Sequence, residues 1–332
     1  MEGSIEIAVV GDVHLRWDAE DVAYFRNAAY DRILFVGDLA GFTHAGGLRV
    51  ARSIADLGRR ALVMPGNHDG IHVGQLVAEV LRSRRLGGVL GAGQMRRCEE
   101  LATVLGEATL CGYTAHDLAT PRGALRVIAG RPHSMGGSYV AYARYLARRY
   151  GVRSIDDSAR RLQALVDESP HGRLLFFAHS GPAGLGSGRA DIWGCDFRAE
   201  EGDWGDEDLR RAIAHARAAG KQVLAVVAGH MHHAVKGGGR RPWQVVRDGI
   251  LYVNAARVPR IFRRGAEIVR HHVTVSVAEA GATATEVLVR SAAGGTDDRP
   301  RRGLTMARAI GTLAGWLARR APRERSGAGR SE

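Results

Sequence analysis

The sequence predicts an α/β fold in which short buried strands alternate with helices. In the first two thirds of its 332 residues, apolar runs rich in β-branched residues are separated by segments with helical periodicity. In the last third, such runs follow one another without helices between them. The first arrangement is typical of a parallel sheet, and the second indicates antiparallel strands that form a second sheet or extend the first.

The predicted elements follow one another along the chain. Strands are predicted at 5–10, 32–36, 60–64, 173–178 and 222–228, and later at 243–246, 250–254, 271–278 and 285–290. Helices are predicted at 19–29, 47–57, 73–86, 138–150, 156–168 and 206–219. We assign residues 1–290 to one domain, 291–303 to a linker rich in Gly, Asp, Pro and Arg, and 304–332 to a basic C-terminal helix (304–320) with a disordered tail.

Composition limits the class of protein. The apolar runs are all far shorter than the ~20 residues that a membrane span needs, and the acidic start MEGSIEIAVVGD lacks the features of a signal peptide. Three cysteines, an odd number without a CxxC pair, favour reduced thiols in a cytoplasmic protein. The formal net charge of +12 favours a solvated arginine-rich surface over a nucleic-acid partner. The C-terminal helix has three candidate docking sites: the protein body (the default), a partner, or an anionic membrane.

Ligand-type side chains follow five of the predicted strands directly. They are Asp12 and His14, then Asp38, then Asn67 with His68 and Asp69, then His179, and finally His230 and His232. The carboxyl ends of strands in an open α/β sheet lie together, so these side chains are expected to converge. Oxygen and nitrogen donors without a thiolate suit manganese, iron or zinc.

Two such metals roughly 3.5–4 Å apart share a bridging carboxylate and a water whose pKa they lower, and the resulting hydroxide attacks phosphorus in line. Taken alone, each segment also has an ordinary explanation. Asp12 is a common type of helix-capping residue, Asn67 fits a turn, and a single histidine such as His179 carries little information. The five segments together favour a metal centre.

The motifs DVH (12–14), GD (37–38), GNHD (66–69), a lone histidine and GHMH (229–232), in that order, resemble the calcineurin-like metallophosphoesterase superfamily over residues 5 to about 254. The resemblance implies a two-layer β-sandwich of mixed sheets flanked by α-helices, in four αββα layers. It implies two divalent metal ions, of which manganese is favoured over iron and zinc. It assigns the first metal to Asp12, His14 and His232, the second to Asn67, His179 and His230, the bridge to Asp38, and the leaving-group proton to His68.

Within that superfamily the sequence is most similar to the DevT-like phosphatases of cyanobacteria and plant plastids, a group regarded as related to protein phosphatases. The similarity lies in 9–21, 34–42, 131–137, 179–187, 191–197 and 229–234. The Ser/Thr protein phosphatases of the superfamily follow GD with a segment ending in Asp-Arg-Gly and GNH with Glu. Here Leu-Ala-Gly follows Asp38 and Asp69 follows GNH, so the phosphate-clamping arginines and the carboxylate that orients the catalytic histidine are missing at those places.

Three further residues are candidates for substrate binding. Arg131 follows a strand pattern in RPHSMGG and could contact phosphate, while a turn held by Pro132 and two glycines is an equal alternative. Asp191 and Asp196 lie in DIWGCDF, which either lines the substrate mouth or is a rigid loop anchored by Trp193 and Phe197, the slightly favoured interpretation.

The sequence therefore predicts a dinuclear-metal phosphoester hydrolase, with a phosphomonoesterase, including a protein phosphatase, favoured. A phosphodiesterase or nuclease-type activity on nucleotides or nucleic acid is the alternative. A non-catalytic metal-bound scaffold is the third hypothesis, and the complete ligand set together with His68 argues against it.

Overall fold

The computed structural model describes residues 3–120, 123–198 and 202–292 of the chain. These residues form two mixed β-sheets flanked by helices. The strands are β1 Ile5–Val10, β2 Arg32–Phe35, β3 Ala61–Val63, β4 Thr109–Leu110, β5 Thr114–Thr120, β6 Gly123–Ala129, β7 Arg173–Ser180, β8 Gln222–Gly229, β9 Gln244–Arg247, β10 Ile250–Asn254, β11 Ile261–Arg264, β12 Glu267–Ala278 and β13 Gly281–Ala292. The helices are α1 Ala19–Asn27, α2 His44–Ile54, α3 Val73–Val80, α4 Arg84–Leu90, α5 Gln94–Val104, α6 Ala143–Tyr150, α7 Ile155–Asp167 and α8 Glu207–Ala218, with a 3-10 turn at Ala55–Arg60. The predicted fold class is confirmed.

Each sheet combines a parallel centre with antiparallel edges. Within the described residues, the first sheet has the order β11-β12-β1-β2-β3-β4, with β13 paired to β12. The second has the order β5-β6-β7-β8-β10-β9. Strands β1 to β4 run parallel to one another, as do β6, β7, β8 and β10. The carboxyl ends of the strands before the polar motifs therefore lie at a common edge within each sheet.

The layers follow from the alternation of side chains along each strand. Val9 and Phe177 point into the core between the two sheets. The neighbouring Val10 packs with Phe25 under the helices on the first sheet, and Phe176 packs under the helices on the second. Both faces of both sheets are thus covered, which explains why the central strands are apolar throughout.

Local sequence signals set several helix ends. Asp18 caps α1 by accepting hydrogen bonds from the backbone N–H groups of Glu20 and Asp21, and its own backbone N–H donates to the Asp21 carboxylate. Ser154 caps α7 in the same reciprocal way with Asp157. Such capping boxes satisfy amide groups that have no partner inside the helix.

The late strands extend existing sheets, which is one of the two arrangements expected: β11 to β13 extend the first sheet, while β9 and β10 extend the second. Three expectations need correction. The late strand β10 runs parallel, not antiparallel, to its neighbour β8. The helix predicted over 73–86 is two helices, α3 and α4, because the chain turns at Arg82, where φ is +54°. The helix predicted from residue 138 begins only at Ala143, after Tyr142 with φ of +54°.

Strand β13 continues to Ala292, so it includes the first residues of the predicted linker 291–303. The remainder of that linker, the predicted helix 304–320 and the tail lie outside the described residues. Among the residues that are described, no helix is long and apolar enough to cross a membrane. Cys98, Cys111 and Cys195 are buried free thiols.

Candidate metal centre

Five strands from both sheets deliver the polar motifs to one place. Asp12 and His14 follow β1, Asp38 follows β2 and Asn67 follows β3, while β7 carries His179 and β8 leads into His230. A backbone hydrogen bond from His14 to the Asp38 carbonyl oxygen, 2.7 Å long, joins the loops after β1 and β2. Residues from distant parts of the chain thereby surround one small volume.

Asp12, His14 and His232 form the first half of the site. One potential ligand atom from each lies within 4.8 Å of the other two. The His232 Nε2 atom is 3.3 Å from both Asp12 Oδ2 and His14 Nε2. Asp12 is buried, and its Oδ2 atom has no hydrogen-bond partner among the described residues. A buried orphan carboxylate oxygen beside two imidazole nitrogens fits a divalent cation.

Asn67, His179 and His230 form the second half. His179 Nε2 lies 2.9 Å from Asn67 Oδ1, and the His179 and His230 ring centroids are 5.0 Å apart. Asp38 lies between the halves: its Oδ2 is 3.6 Å from His14 Nε2, and its Oδ1 is 3.6 Å from His179 Nε2. The position of this buried carboxylate suits a bridge between two cations.

Backbone carbonyl groups determine which ring nitrogen each histidine presents. His14 Nδ1 donates to the Ala40 oxygen at 3.3 Å and His179 Nδ1 to the Val36 oxygen at 2.7 Å, so both present Nε2. His230 is reversed, because its Nε2 donates to the Met135 oxygen at 3.1 Å, which leaves Nδ1 as its unprotonated ring nitrogen.

The electrostatic field of the site favours cations. Burial lowers the pKa of His14 to about 4 and that of His230 to about 3, which keeps these imidazoles neutral and able to bind metal. Burial also acts to lower the pKa of His179, but the carboxylates of Asp38 and Asp12 outweigh it and raise that pKa. Where two buried carboxylates attract a proton this strongly, they also attract a metal ion.

Two glycines leave room for these side chains. A Cβ atom on Gly66 would lie 2.2 Å from Asp38 Oδ1, and one on Gly229 would lie 2.3 Å from Asp12 Oδ1. Both distances are far below van der Waals contact. The glycines of GNHD and GHMH are therefore required by the close approach of backbone and carboxylate.

His68 stands next to this centre with its own set of contacts. Its Nδ1 donates to the Gly41 carbonyl oxygen at 2.6 Å, and its backbone N–H donates to Asp38 Oδ1 at 2.9 Å. Its ring centroid is 5.1 Å from that of His14, and the Phe42 ring packs edge-on against it. A backbone carbonyl, and not a carboxylate, therefore sets the orientation of the His68 ring.

A comparison with known protein families identifies the family of this chain. The family model for calcineurin-like phosphoesterases matches residues 5–234. The chain belongs to this family. Calcineurin-like phosphoesterases are metal-dependent hydrolases, which is consistent with the buried Asp12 and the partly exposed His14 and His232, a group that could hold a metal ion. No curated protein matches the sequence.

Two solved structures match this calcineurin-like phosphoesterase at low sequence identity and low TM-score. A metallophosphoesterase from Sphaerobacter thermophilus has 13% sequence identity and a TM-score of 0.36, over 93% of this chain and 98% of that one. A single mutant of Vps29 from Entamoeba histolytica has 10% identity and a TM-score of 0.28, over 86% of this chain and 99% of that one.

Asp69 is a structural residue of the phosphoesterase site whose role the sequence does not reveal. It is buried and accepts backbone hydrogen bonds from Leu39 at 3.2 Å, Ala40 at 2.9 Å and Gly66 at 2.9 Å. It therefore ties the loop after β2 to the loop after β3. The signal that points to it is its place directly after Asn67 and His68 in GNHD.

Arg131 does not lie where a phosphate contact requires it. Its guanidinium is buried, donating from Nη2 to Asp206 Oδ1 at 2.7 Å and from Nε to Asp208 Oδ2 at 2.9 Å. The expected phosphate contact is therefore wrong, because two carboxylates already occupy the donors in the protein interior. The alternative, a turn held by Pro132 and two glycines, fits the backbone, since Pro132 lies in a turn and Gly136 and Gly137 both adopt positive φ.

Asp191 and Asp196 are engaged in the loop itself. Asp191 Oδ2 accepts from the Gly188 backbone at 2.7 Å, and Asp196 Oδ2 accepts from the Lys236 backbone at 2.7 Å and pairs with Arg241 at 3.2 Å. These contacts fit the rigid-loop interpretation of 191–197 and not a substrate-binding role. Trp193 anchors the loop as expected, since it is buried, whereas Phe197 is exposed.

The third histidine of GHMHH is buried, whereas His230 and His232 are partly exposed. His233 Nε2 donates to the Asn254 carbonyl oxygen at 2.7 Å, and its backbone N–H donates to the Ala256 oxygen at 3.1 Å. His233 thus fastens the ligand loop to the residues that follow β10, while His230 and His232 face the site.

Proposed function

We propose that the chain is a dinuclear-metal-dependent phosphoester hydrolase with a preference for phosphomonoesters. The observation that carries the proposal is the arrangement of two sets of N and O donors on either side of the buried Asp38 carboxylate. Asp12, His14 and His232 would hold the first ion, and Asn67, His179 and His230 the second. Asp38, 3.6 Å from a ring nitrogen on each side, would bind both.

These residues fit divalent manganese, iron or zinc, and we propose manganese. When bound, the two ions supply a nucleophile generated from water at neutral pH and positive charge for the phosphoryl oxygens. The chain itself contributes fixed ligand geometry, because backbone carbonyls set the tautomers of His14, His179 and His230.

His68 is proposed as the proton donor to the leaving oxygen. Its Nδ1 is occupied by the Gly41 carbonyl at 2.6 Å, so Nε2 is the nitrogen available to substrate. The backbone bond from His68 to Asp38 fixes this imidazole relative to the metal ligands. A general acid held next to the reacting phosphate typically contributes a factor of about 10² to 10⁴ in rate.

We further propose that the chain is a DevT-like phosphatase acting in the cytoplasm on a phosphorylated small molecule or protein. Two of the segments with this similarity border the centre, since Met135 of 131–137 accepts a hydrogen bond from His230, and 179–187 begins with His179. The buried free thiols support a reducing compartment.

The test removes metal with EDTA, reloads the protein with Mn²⁺ and measures hydrolysis of p-nitrophenyl phosphate, bis(p-nitrophenyl) phosphate and a phosphopeptide. We expect activity on the monoester to disappear with chelation and to return with Mn²⁺. Faster hydrolysis of the diester would replace the monoesterase assignment by the phosphodiesterase alternative. Hydrolysis of no ester above a His68→Ala control, with metal bound, would leave the non-catalytic scaffold as the explanation.

A further inference from the structure

The carbonyl oxygen of Met135 is the hydrogen-bond acceptor for two side chains. His230 Nε2 lies 3.1 Å from it, and the indole Nε1 of Trp204 donates to it at 2.7 Å. Since a carbonyl oxygen only accepts, the bond places the ring hydrogen of His230 on Nε2 and leaves Nδ1 as the free ligand nitrogen. The orientation of His230 thus depends on where the backbone holds Met135.

The backbone around Met135 is fixed from several sides. Gly136 N–H donates to the Ser134 hydroxyl at 3.0 Å, and Gly137 N–H donates to the Trp204 carbonyl at 2.9 Å. Gly136 adopts φ of +73°, and a Cβ there would lie 2.2 Å from the Trp204 oxygen. Trp204 and the 134–137 turn are therefore fitted to each other with no space for a side chain between them.

Ser134 connects this turn to a buried ion-pair cluster. Its hydroxyl donates to Asp206 Oδ1 at 2.6 Å, and the same oxygen accepts from Arg131 Nη2 at 2.7 Å. Arg131 also donates to Asp208, and all three charged side chains are almost completely buried. Charged groups held by this many bonds inside the protein have little freedom to shift, so the Ser134 hydroxyl has a fixed partner.

We infer that Arg131, Ser134, Asp206 and Trp204 are positioning residues for one metal ligand: they hold the Met135 carbonyl so that His230 presents Nδ1 to the second metal ion. The inference rests on the proposed dinuclear site. It gives Arg131, whose guanidinium is buried against Asp206 and Asp208, a role that acts through the turn and His230.

The cluster supplies a matched control on another helix. Ser158, on α7, is also a buried serine, and its hydroxyl contacts the Asp208 carboxylate and the Tyr113 hydroxyl. Ser158→Ala removes the same group from the same cluster, but Ser158 does not contact the 134–137 turn. Arg131→Ala is unsuitable as a test because it would leave two buried carboxylates without their cation and unfold the protein.

The experiment titrates metal-free wild type, Ser134→Ala, Trp204→Phe and Ser158→Ala with Mn²⁺, measuring affinity by calorimetry and the coupling of two Mn²⁺ ions by EPR. Thermal unfolding of each metal-free variant is recorded alongside. We expect Ser134→Ala and Trp204→Phe to weaken one of the two sites by about 10- to 100-fold, as changes behind a metal ligand typically do. The coupled EPR signal should be lost at Mn²⁺ concentrations that saturate the wild type, while the other site keeps its affinity.

Ser158→Ala is expected to lower the unfolding temperature and to leave both affinities unchanged. If Ser134→Ala and Trp204→Phe bind two Mn²⁺ ions as tightly as Ser158→Ala does, the cluster serves stability alone and the inference is overturned. That result would leave the proposed function standing, provided that the wild type binds two ions and hydrolyses phosphoesters. A wild type that binds a single Mn²⁺ ion would overturn the dinuclear proposal and this inference together.

Discussion

Asp38 is one of three proposed metal ligands, with His14 and His230, whose backbone is left-handed. It adopts a left-handed backbone conformation with φ of +52°, which costs a non-glycine residue of order 1–3 kcal/mol. Its carboxylate is buried, accepts the His68 backbone N–H at 2.9 Å and lies between the two groups of imidazoles. A residue held in this way against local preference indicates a requirement for its charge at that point.

Asp38→Asn tests this requirement. Asparagine keeps the acceptor for the His68 N–H, so the loop can persist, but the negative charge between the two groups of ligands is lost. We expect Mn²⁺ content and kcat/KM to fall by more than about 10- to 100-fold, which is the usual loss when a residue that hydrogen-bonds to a metal ligand is replaced. Asp56→Asn, at an exposed position, is the control. Unchanged metal content and rate in Asp38→Asn would refute the bridging role.

His68→Ala separates proton donation from metal binding. Because His68 contacts the Gly41 carbonyl and not a proposed metal position, its removal should leave the Mn²⁺ content intact. The kcat for p-nitrophenyl phosphate should fall by about 10² to 10⁴, the usual contribution of a general acid. His44→Ala changes a histidine that pairs with Glu100, and it should have little effect. A loss of metal in His68→Ala would reassign this residue as a ligand.

At the scale of residues, those close to a strand end are predictable and those in the buried network are not. Asp12, Asp38 and His230 can be found because each follows an apolar run that ends at a turn. Arg131 cannot be assigned from the sequence, because its partners Asp206 and Asp208 lie 75 and 77 positions away. Only the folded chain shows that this basic residue next to the candidate metal centre turns inward.

Among the elements, the loops after β2 and β3 depend on one another through Asp69. One side chain satisfies three backbone N–H groups, from Leu39, Ala40 and Gly66. These loops carry Asp38 and Asn67, so their relative position determines the distance between proposed ligands. The Asp69 carboxylate therefore links two strands of the first sheet at the point where the site is built.

Asp69→Asn is expected to destabilise the fold by about 1–3 kcal/mol, the cost of leaving a buried donor without its acceptor. An amide offers one oxygen where the carboxylate uses two, so its NH₂ group must face at least one backbone N–H. Urea denaturation of metal-free protein measures the loss. Asp156→Asn, where the carboxylate is largely exposed, should change little. Equal stability of Asp69→Asn and the wild type would show that the three bonds are dispensable.

The elements that the sequence predicts best are the buried strands. In an α/β chain, an apolar run followed by a turn indicates a buried strand. The predicted bounds of β1, β7 and β8 are therefore close to the observed ones. The break between α3 and α4 is not predictable, since no proline or glycine occupies 81–83 and Arg82 itself takes the left-handed conformation. The partition of β9 to β13 between two sheets is likewise decided by tertiary packing and not by local pattern.

At the scale of the whole molecule, the first sheet is completed by β12, a strand from the end of the described chain that pairs antiparallel with β1. His272 on β12 is buried against the Tyr24 and Phe25 rings, and its Nε2 bonds the Tyr30 hydroxyl at 2.9 Å. Burial, then the nearby charges of Arg260 and His271, lowers the pKa of His272 to about 3. The packing of β12 against α1 thus requires a neutral His272 imidazole.

This requirement makes stability depend on pH. The unfolded chain protonates His272 near pH 6.5, whereas the folded chain resists protonation down to about pH 3. Between these values the unfolded state binds the extra proton, so the stabilising effect is complete above pH 6.5 and declines as the pH falls. Between pH 7 and pH 5 this residue alone should remove on the order of 2 kcal/mol from the free energy of unfolding.

His272→Gln removes the titrating group and keeps a hydrogen-bonding side chain for Tyr30. We expect this variant to be less stable than the wild type at pH 7, but to lose less of its stability between pH 7 and pH 5. Urea denaturation of chelated protein at the two pH values measures the difference without metal binding at the centre. The control is His215→Gln, on the outer helix α8, where His215 pairs with Asp167. This variant should lose as much free energy of unfolding between pH 7 and pH 5 as the wild type does. If His272→Gln loses as much as well, other buried histidines and not His272 cause the loss of stability in acid.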